Sequence, residues 1–237
     1  MLKRAICLVL LLASPVFAAE KSPLGPGILG AVDHRQPVFA EGWPWSSIGR
    51  VNRAGGGFCT GTLVAPDRVI TAAHCLYDPH GQRWVNPHEM HFLAGYRLGA
   101  YQAHGVAREI VKDPRYLHGQ GVAGLPFDWA VLVLDKPMQQ RPIAVGNATG
   151  GERILRAGYG QDRPHLLSKH DGCVIDGRMG TVLLHNCDAV HGDSGSPMLV
   201  FEKGEPKLVG IHVAVVDGVR GAAVPYSAFA AAIAGQK

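Results

Sequence analysis

Three polar residues, His74, Asp128 and Ser194, occur in an order and in local contexts that suit acyl transfer. Ser194 lies in a Gly-Asp-Ser-Gly turn, His74 follows an apolar segment, and Asp128 directly precedes one. In serine-based acyl transfer a hydroxyl attacks, an imidazole accepts its proton, and a carboxylate orients the imidazole. Turn chemistry explains each residue when it is taken alone. Together the three residues predict a nucleophilic site.

Short apolar segments separated by turns must position these residues. The stretch GTLVAPDRVIT predicts two strands joined by a turn, the second spanning Arg68–Thr71. Trp129–Leu134 and Lys207–Val215 predict two further buried strands. Only Pro225–Ala234 has the Ala-rich composition of a helix, with Ser227 as its N-cap. Many strands and one terminal helix predict an all-β barrel architecture.

The composition is typical of a folded, strand-rich chain. A length of 237 residues allows one large domain or two small ones, and the hydrophobic fraction of 47% excludes a disordered chain. The 31 glycines and 16 prolines favour short strands joined by turns over a helical bundle.

The first 18 residues have the pattern of a secretory signal peptide. Lys3 and Arg4 precede an apolar run, and Val16-Phe17-Ala18 provides a cleavage pattern. The apolar run is far shorter than the roughly 20 residues of a membrane-spanning helix. We therefore expect removal of residues 1–18, a secreted or periplasmic protein, and no stable membrane insertion. Residues 19–27 follow as a flexible propeptide rich in Pro and Gly.

Removal of the signal peptide changes the charge and the cysteine count. The net charge falls from +4 to +2 because Lys3 and Arg4 are lost, which gives a nucleic-acid partner little support. Cys7 is lost as well. The four cysteines that remain are Cys59, Cys75, Cys173 and Cys187. An even number in an exported protein predicts two disulfides. No C-x-x-C pair is present, so we expect no metal and no cofactor.

Three motifs around the candidate residues, TAAHC, DWAVL and GDSGSP, resemble those of the chymotrypsin/trypsin-like serine peptidase family. The likeness extends from ILGAVDHRQPV through AGYGQ to the C-terminal helix. DHRQPV, HNCD, SGSP and GIH are similar to the bacterial, V8-like glutamyl endopeptidase branch. The resemblance implies a peptidase domain at residues 28–237, with two six-stranded antiparallel β-barrels in roughly residues 28–140 and 141–237. It places the active site between the barrels.

The resemblance also implies the roles of individual residues. His74, Asp128 and Ser194 form the catalytic triad, and the amides of Gly192 and Ser194 form the oxyanion hole. Such a donor typically contributes about 2.7–4 kcal/mol to catalysis. Gly192 leaves no Cβ where the substrate carbonyl must approach.

The disulfide pairing follows from the same resemblance. Cys59 pairs with Cys75 beside His74, and Cys173 pairs with Cys187 behind the loop that carries the nucleophile. The alternative pairings would link the two barrels across the cleft, which the resemblance does not support.

Asp193 has two interpretations. In the trypsin branch the aspartate before the nucleophile pairs with a new N-terminal amine, which cleavage creates and which orders the oxyanion hole. Ile28, the first residue after the propeptide, is then the new terminus, and the protein is made as an inactive precursor. V8-like relatives often lack that aspartate, and a simple turn aspartate is the alternative.

The residues of the substrate pocket leave the preferred side chain open. Asp188 matches the position that attracts Arg or Lys in trypsin-like members, although V8-like relatives have an aspartate there without that preference. His212 matches the histidine with which glutamyl endopeptidases hold a carboxylate, or is a histidine of the core. Ala189 replaces their pocket Thr or Ser, and Val213 replaces a serine that many members place beside the triad carboxylate. Gly221 predicts an open pocket entrance.

These features predict a secreted serine endopeptidase that acts through an acyl-enzyme intermediate. We expect protein or peptide substrates and a monomer. The alternative is a catalytically idle binding or adhesion module, since fold alone does not determine function. An esterase with the same triad is disfavoured because the chain lacks a G-x-S-x-G motif and an α/β alternation.

Overall fold

The structure, a computed structural model, describes residues 27–39, 41–148, 151–218 and 220–235. The predicted signal peptide, residues 1–18, and the predicted propeptide up to residue 26 lie outside the described residues. Within the described ranges, every helix is too short or too polar to traverse a lipid bilayer.

Strands dominate the described chain. In sequence order they are β1 (Gln36–Pro37), β2 (Ile48–Arg53), β3 (Phe58–Ala65), β4 (Arg68–Thr71), β5 (Tyr77–Asp78), β6 (Arg83–Trp84), β7 (Met90–Ala94), β8 (Ala103–Lys112), β9 (Ala130–Leu134), β10 (Ala144–Val145), β11 (Arg153–Gly158), β12 (Ser168–Met179), β13 (Val182–His185), β14 (Pro197–Glu202), β15 (Glu205–Val216) and β16 (Arg220–Pro225). Short 3-10 helices span Trp45–Ser47, Ala73–Leu76, Pro87–Glu89, Gly121–Phe127 and Tyr226–Ala228, and the α-helix, α1, spans Ala230–Ile233.

Six antiparallel strands close the first barrel in the order β2-β3-β4-β9-β8-β7. Strand β7 alternates buried Met90, Phe92 and Ala94 with partly exposed residues, as expected of a strand with one face in a core. All five residues of β9 are buried, and β4 has the predicted bounds. The apolar faces of these strands form the core of this barrel.

The second barrel has the order β12-β11-β14-β15-β16-β13, and pairing of β12 with β13 closes it. The expected all-β fold of two six-stranded barrels is confirmed. Strand β1 pairs with β12, so the segment before the first barrel is joined to the second barrel.

The C-terminal helix is present but shorter than predicted. Residues Tyr226–Ala228 form a 3-10 helix that contains Ser227, and only Ala230–Ile233 is α-helical. Phe229, not Ser227, is the residue before α1, and no side chain caps this helix. The Phe229 ring is fully buried, 6.2 Å from the Trp129 ring, and its backbone leaves the helical conformation there.

The interior of the second barrel contains several buried polar side chains. Arg156, His185, Asp193 and His212 are each at most 3% exposed. Polar groups are tolerated at such depth only when they are paired or hydrogen-bonded. The centre of this barrel is therefore a polar network surrounded by apolar strands.

Two disulfides connect strands to the segments that carry the candidate residues, with the expected pairing. Cys59–Cys75, with Cα atoms 6.1 Å apart, joins β3 to the 3-10 helix that contains His74. Cys173–Cys187, with Cα atoms 5.0 Å apart, joins β12 to the chain just before the nucleophile loop.

We expect replacement of both Cys173 and Cys187 by serine to lower the free energy of unfolding by about 2–4 kcal/mol, because the bridge restricts the unfolded chain. Equilibrium denaturation of the exported protein and of the variant measures the difference. Peptide mapping without reduction should recover both linked pairs. A count of four free thiols in exported protein would show that the bridges do not form.

Candidate active site

His74 and Asp128 are brought together by adjacent strands of the first barrel. His74 lies in the 3-10 helix that follows β4, and Asp128 lies two residues before β9, the strand that pairs with β4. Oδ2 of Asp128 lies 2.7 Å from Nδ1 of His74, and Oδ1 accepts the backbone N–H of His74 at 2.8 Å. The carboxylate is therefore bound by the ring and by the backbone of the same histidine.

Asp128 is buried beside a tyrosine as well as beside this histidine. Asp128 is 3% exposed. Burial and, next, the charge of Asp128 raise the pKa of Tyr116 well above its ordinary value, so a neutral tyrosine borders the carboxylate. Val213 lines the same cleft and offers no hydroxyl to the carboxylate, as its sequence position predicts.

Opposing effects act on the pKa of His74. Burial alone would lower it, but the negative charge of Asp128 and the hydrogen bond to it together outweigh burial, so the pKa of His74 is raised above 6.5. The side chain remains 30% exposed, which allows proton exchange with the cleft. The pair thus holds an imidazole that binds a proton more readily than a free histidine.

The turn around Ser194 requires glycine on both sides. Gly192 has a φ angle of +94° and Gly195 has one of +82°, in the left-handed region that other residues rarely adopt. A Cβ at Gly192 would overlap the carbonyl of Tyr159, and a Cβ at Gly195 would overlap the carbonyl of Thr60. The two glycines let this turn pack tightly against both barrels.

Hydrogen bonds from both barrels hold the turn. From β3, the Thr60 amide donates to the carbonyl of Ser194 at 2.9 Å, and its hydroxyl donates to the carbonyl of Gly192 at 3.2 Å. From the other side, the Gly195 amide donates to the carbonyl of His212 at 2.7 Å. The backbone of the turn is therefore defined by contacts on both sides.

The amides of Gly192 and Ser194 are left without an acceptor in the described part of the chain. Buried backbone N–H groups are usually hydrogen-bonded, because an unsatisfied one costs free energy. Donors that await an oxyanion are an exception, since their acceptor is formed during the reaction. The turn therefore offers two amides beside a serine hydroxyl.

Asp193 is fully buried, and Arg156 is its main partner. Nη1 of Arg156, a side chain with no exposed surface, lies 2.6 Å from Oδ1 of Asp193 and donates to Oγ of Ser196 at 3.2 Å. The amide of Val190 donates to Oδ2 at 2.9 Å, and Nη1 of Arg35 lies 3.8 Å from the same oxygen. Both oxygens of the Asp193 carboxylate thus have a partner within the fold.

Residues 27 and 28 are joined in this structure, so the new amine at Ile28 that was predicted to pair with Asp193 is not present. Ile28 is buried, but the amide of the next residue, Leu29, donates to Asp188 at 2.7 Å. The sequence-based reasoning assumed a buried carboxylate that lacks a cation until cleavage supplies an ammonium. In the continuous chain Arg156 on β11 already supplies a positive charge to Asp193. The pairing of Asp193 with a new amine at Ile28 stays a prediction for the cleaved chain.

A cleft of about 620 Å³ has residues of both barrels on its walls. His74, Asp128 and Ser194 all line it. Beside them lies an apolar wall whose members are Ala189, Val190, Val213, Ala214, Val215 and Val216, with Asp217 next in sequence. The candidate catalytic residues therefore share one cleft with a pocket suited to a substrate side chain.

The predicted pocket residues divide into two groups. Ala189 and His212 line the cleft, whereas Asp188 and Gly221 do not. Asp188 is fully buried, and its oxygens accept the amides of Leu29 and His34 at 2.7 and 2.8 Å. It is therefore withdrawn from the position in which it could attract a basic side chain.

Gly221 has a packing role that its sequence position did not reveal. A Cβ at this position would overlap the ring of His185. The glycine therefore makes room for a buried histidine and does not line the cleft, and the open pocket entrance stays a prediction.

Hydrogen bonds define the tautomers of two buried histidines. The Cys187 amide donates to Nδ1 of His185 at 3.1 Å, so the proton of neutral His185 resides on Nε2. That nitrogen lies 3.1 Å from Nδ1 of His212, to which it donates. The proton of neutral His212 therefore resides on Nε2, the ring nitrogen turned away from His185.

Both histidines are neutral over a wide pH range. Burial and, next, the charge of Arg156 lower the pKa of His185 to about 3. Burial, followed by the charges of His185 and Arg156, holds the pKa of His212 well below 6.5. The cleft is thus bordered by an uncharged histidine whose remaining polar group is an N–H donor.

Three residues of this site were missed by sequence reasoning: Arg156, His185 and Thr60. Arg156 could have been predicted from the sequence, because it interrupts the apolar segment ILRAG. A charge inside a buried strand requires a partner. His185 was noted only as part of HNCD. Thr60 gave no signal, because its contacts join segments that are distant in sequence.

Comparison with known proteins identifies the family of this chain. The family model described as Trypsin matches residues 34–233. Serine protease 23 of Bos taurus is 30% identical over 213 residues, which cover 76% of this chain and 55% of that protein. The Rattus norvegicus protein of the same name is also 30% identical, over 82% of this chain and 57% of its own length. The chain thus spans about half the length of these curated relatives.

A solved structure of a Glu endopeptidase in complex with MPD has the same fold, with a TM-score of 0.72 and 21% identity. The alignment covers 87% of this chain and 99% of the other. The two six-stranded barrels define a trypsin-like fold. The cleft contains the serine turn and the histidine–aspartate pair. The family model covers most of the residues, and the chain belongs to the trypsin family.

We expect peptide hydrolysis to rise with pH along a limb whose midpoint lies above 6.5, since only the neutral form of His74 accepts a proton and Asp128 raises its pKa. The Asp128→Asn variant should move this midpoint down and lower kcat by about 10⁴-fold. The measurement is kcat/KM from acid to alkaline pH, with folding checked at each pH. A midpoint below 6.5 in the unmodified protein would be inconsistent with the Asp128 contact.

Proposed function

We propose that this chain is a secreted serine endopeptidase that hydrolyses peptide bonds through an acyl-enzyme intermediate, with His74, Asp128 and Ser194 as its catalytic triad. The observation that carries the proposal is a single cleft that combines the 2.7 Å His74–Asp128 contact with Ser194 and two unpaired amides. An idle binding module has no need for unsatisfied donors beside a serine hydroxyl.

In the proposed acylation step, Oγ of Ser194 attacks the carbonyl carbon of the scissile peptide bond, and Nε2 of His74 takes the hydroxyl proton. Asp128 stabilises the imidazolium through Nδ1–H. The negative charge that develops on the carbonyl oxygen is met by the amides of Gly192 and Ser194. Each such donor contributes about 2.7–4 kcal/mol to lowering the barrier.

Collapse of the tetrahedral intermediate breaks the carbon–nitrogen bond, and His74 returns its proton to the leaving amine. An ester of Ser194 remains. Water, deprotonated by His74, then attacks this ester through a second oxyanion, which releases the carboxylic acid and restores the serine hydroxyl. The sequence of steps requires no metal and no cofactor.

Export is part of the same proposal. The signal-peptide pattern of residues 1–18 supports a secreted or periplasmic protein. The two disulfides are consistent with an oxidising compartment. Protein or peptide substrates and a monomeric state complete the proposal.

For specificity, we infer a preference for glutamate at the position before the cleaved bond. His212 borders the pocket with an N–H donor, and a carboxylate is an acceptor that such a donor binds strongly. Asp188 is bound by the amides of Leu29 and His34 and is not exposed, so it gives no reason to expect a preference for Arg or Lys.

We expect Ser194→Ala to lower kcat for peptide hydrolysis by about 10⁶-fold, because the nucleophile is removed. The free energy of unfolding should change by less than about 1 kcal/mol. Ser227→Ala, at an exposed serine, is the matched control and should retain full activity. Appreciable turnover by folded Ser194→Ala would place the nucleophile elsewhere. A folded parent protein that cuts no member of a peptide library would indicate a binding module.

Replacement of His212 by leucine should lower kcat/KM for a substrate with glutamate before the cleaved bond by about 10-fold to 100-fold, the loss of one hydrogen bond to a charged group. A matched peptide with alanine at that position should be much less affected. The measurement is kcat/KM for both peptides with both proteins. Faster cleavage after Arg or Lys than after glutamate in the unmodified protein would refute the inferred preference while leaving the endopeptidase proposal intact.

A further inference from the structure

Three side chains with metal-binding atoms converge on the second barrel, outside the catalytic cleft. His34 belongs to the segment before β1, His170 lies on β12, and Asp188 lies in the loop that leads to the nucleophile. Nδ1 of His34 is 3.0 Å from Oδ2 of Asp188, and Nδ1 of His170 is 3.5 Å from the same oxygen. One metal-binding atom from each of the three side chains lies within 4.8 Å of those of the other two.

The spacing of these atoms suits tetrahedral coordination. Zinc binds imidazole nitrogen and carboxylate oxygen at about 2.0–2.2 Å, so two ligands of a tetrahedral ion are about 3.3–3.6 Å apart. The two measured distances, 3.0 and 3.5 Å, are close to this range. Small rotations of the side chains would therefore be enough to accommodate an ion.

Within the described ranges, no permanently charged cation balances the negative charge of Asp188 in this cluster. Asp188 has no exposed surface, and of the basic side chains in the described ranges only the two histidines, and no Arg or Lys, lie within ion-pair distance of it. A buried carboxylate without a fixed positive charge is costly. A divalent cation would supply that charge.

The carboxylate is also held in place for coordination. The Leu29 amide donates to Oδ1 and the His34 amide donates to Oδ2 of Asp188. Hydrogen bonds to a ligating carboxylate orient it and are a regular feature of metal sites. The His34 side chain is 54% exposed, which gives an ion an entry path and leaves a coordination position for water.

Protons and lone pairs can be rearranged without a further reactant. The Asp188 amide donates to Nδ1 of His170 at 2.9 Å, so this nitrogen is unprotonated and has a lone pair on the side of the cluster. A bound ion would take over that lone pair from the amide. Nδ1 of His34 must be unprotonated to bind the ion, so neutral His34 would change tautomer by losing the proton on Nδ1 to solvent and gaining one on Nε2.

We propose that His34, His170 and Asp188 bind one zinc ion, with water in the fourth position. Two imidazoles and one carboxylate suit zinc, whereas calcium and magnesium prefer oxygen ligands alone. We expected no metal because the sequence has no C-x-x-C pair, and cysteine spacing gives no information about a site made of histidine and aspartate. The ion would join the N-terminal segment and β12 to the chain beside the pocket residue Ala189.

The test is titration of the metal-free full chain with zinc, followed by calorimetry and by thermal unfolding. We expect one ion per chain, an increase in Tm with zinc, and affinity reduced at least about tenfold by His34→Gln. His91→Gln is the matched control. His91 and His104 form a surface pair, 2.9 Å between ring nitrogens, which could bind metal with two ligands only.

Three results would overturn the proposal: no binding by the unmodified chain, equal affinity in His34→Gln, or loss of binding in His91→Gln instead. Thermal unfolding without zinc shows whether His34→Gln is folded, and little change is expected because this side chain is half-exposed. Neither readout uses peptide hydrolysis. Failure of the zinc site therefore leaves the proposed endopeptidase activity untouched.

Discussion

The ion pair between Asp193 and Arg156 is the interaction on which the nucleophile turn depends. Neither side chain has exposed surface, and removal of one partner from a buried pair typically costs about 3–5 kcal/mol, because the other charge is left uncompensated. Asp193 directly precedes Ser194, so its position determines where the neighbouring amides point. With the carboxylate held by Arg156 and by the Val190 amide, the turn keeps its donors free.

The same arginine connects the nucleophile turn to the substrate pocket. After burial, its positive charge contributes to the low pKa values of His185 and His212. A neutral His185 can donate from Nε2 to His212, which leaves His212 with an N–H beside the cleft. One buried cation thus acts both on the aspartate of the nucleophile turn and on the two neutral histidines beside the cleft.

The sequence was sufficient for the features that reside in short segments. The strand Arg68–Thr71, the turn glycines and the two disulfide pairs all agree with expectation, because local pattern or family motif determines them. The partner of Asp193 could not be found in this way. It depends on which residue of β11 faces the nucleophile turn across the barrel, and that is a property of tertiary packing.

The substrate pocket and the chain termini show the same limit. Spacing along the sequence assigned Asp188 to the pocket, but the N-terminal segment folds back and binds it through the Leu29 and His34 amides. Pairing of β1 with β12 brings that segment to the second barrel. The C-terminal helix is shortened by the burial of Phe229, a tertiary contact that outweighs the helical propensity of the surrounding alanines.

Arg156 supplies positive charge to the nucleophile turn from inside the fold, so we expect the site to be complete without a new N-terminal ammonium. The most direct measurement is labelling of the secreted chain by a small fluorophosphonate while residues 19–27 are still attached, with tandem mass spectrometry to locate the adduct and intact mass to verify the N-terminus. If the site is complete, Ser194 is labelled in this uncleaved chain at a rate close to that of the trimmed chain. Labelling that begins only after cleavage near Ile28 would contradict the claim and restore the ammonium as the missing partner.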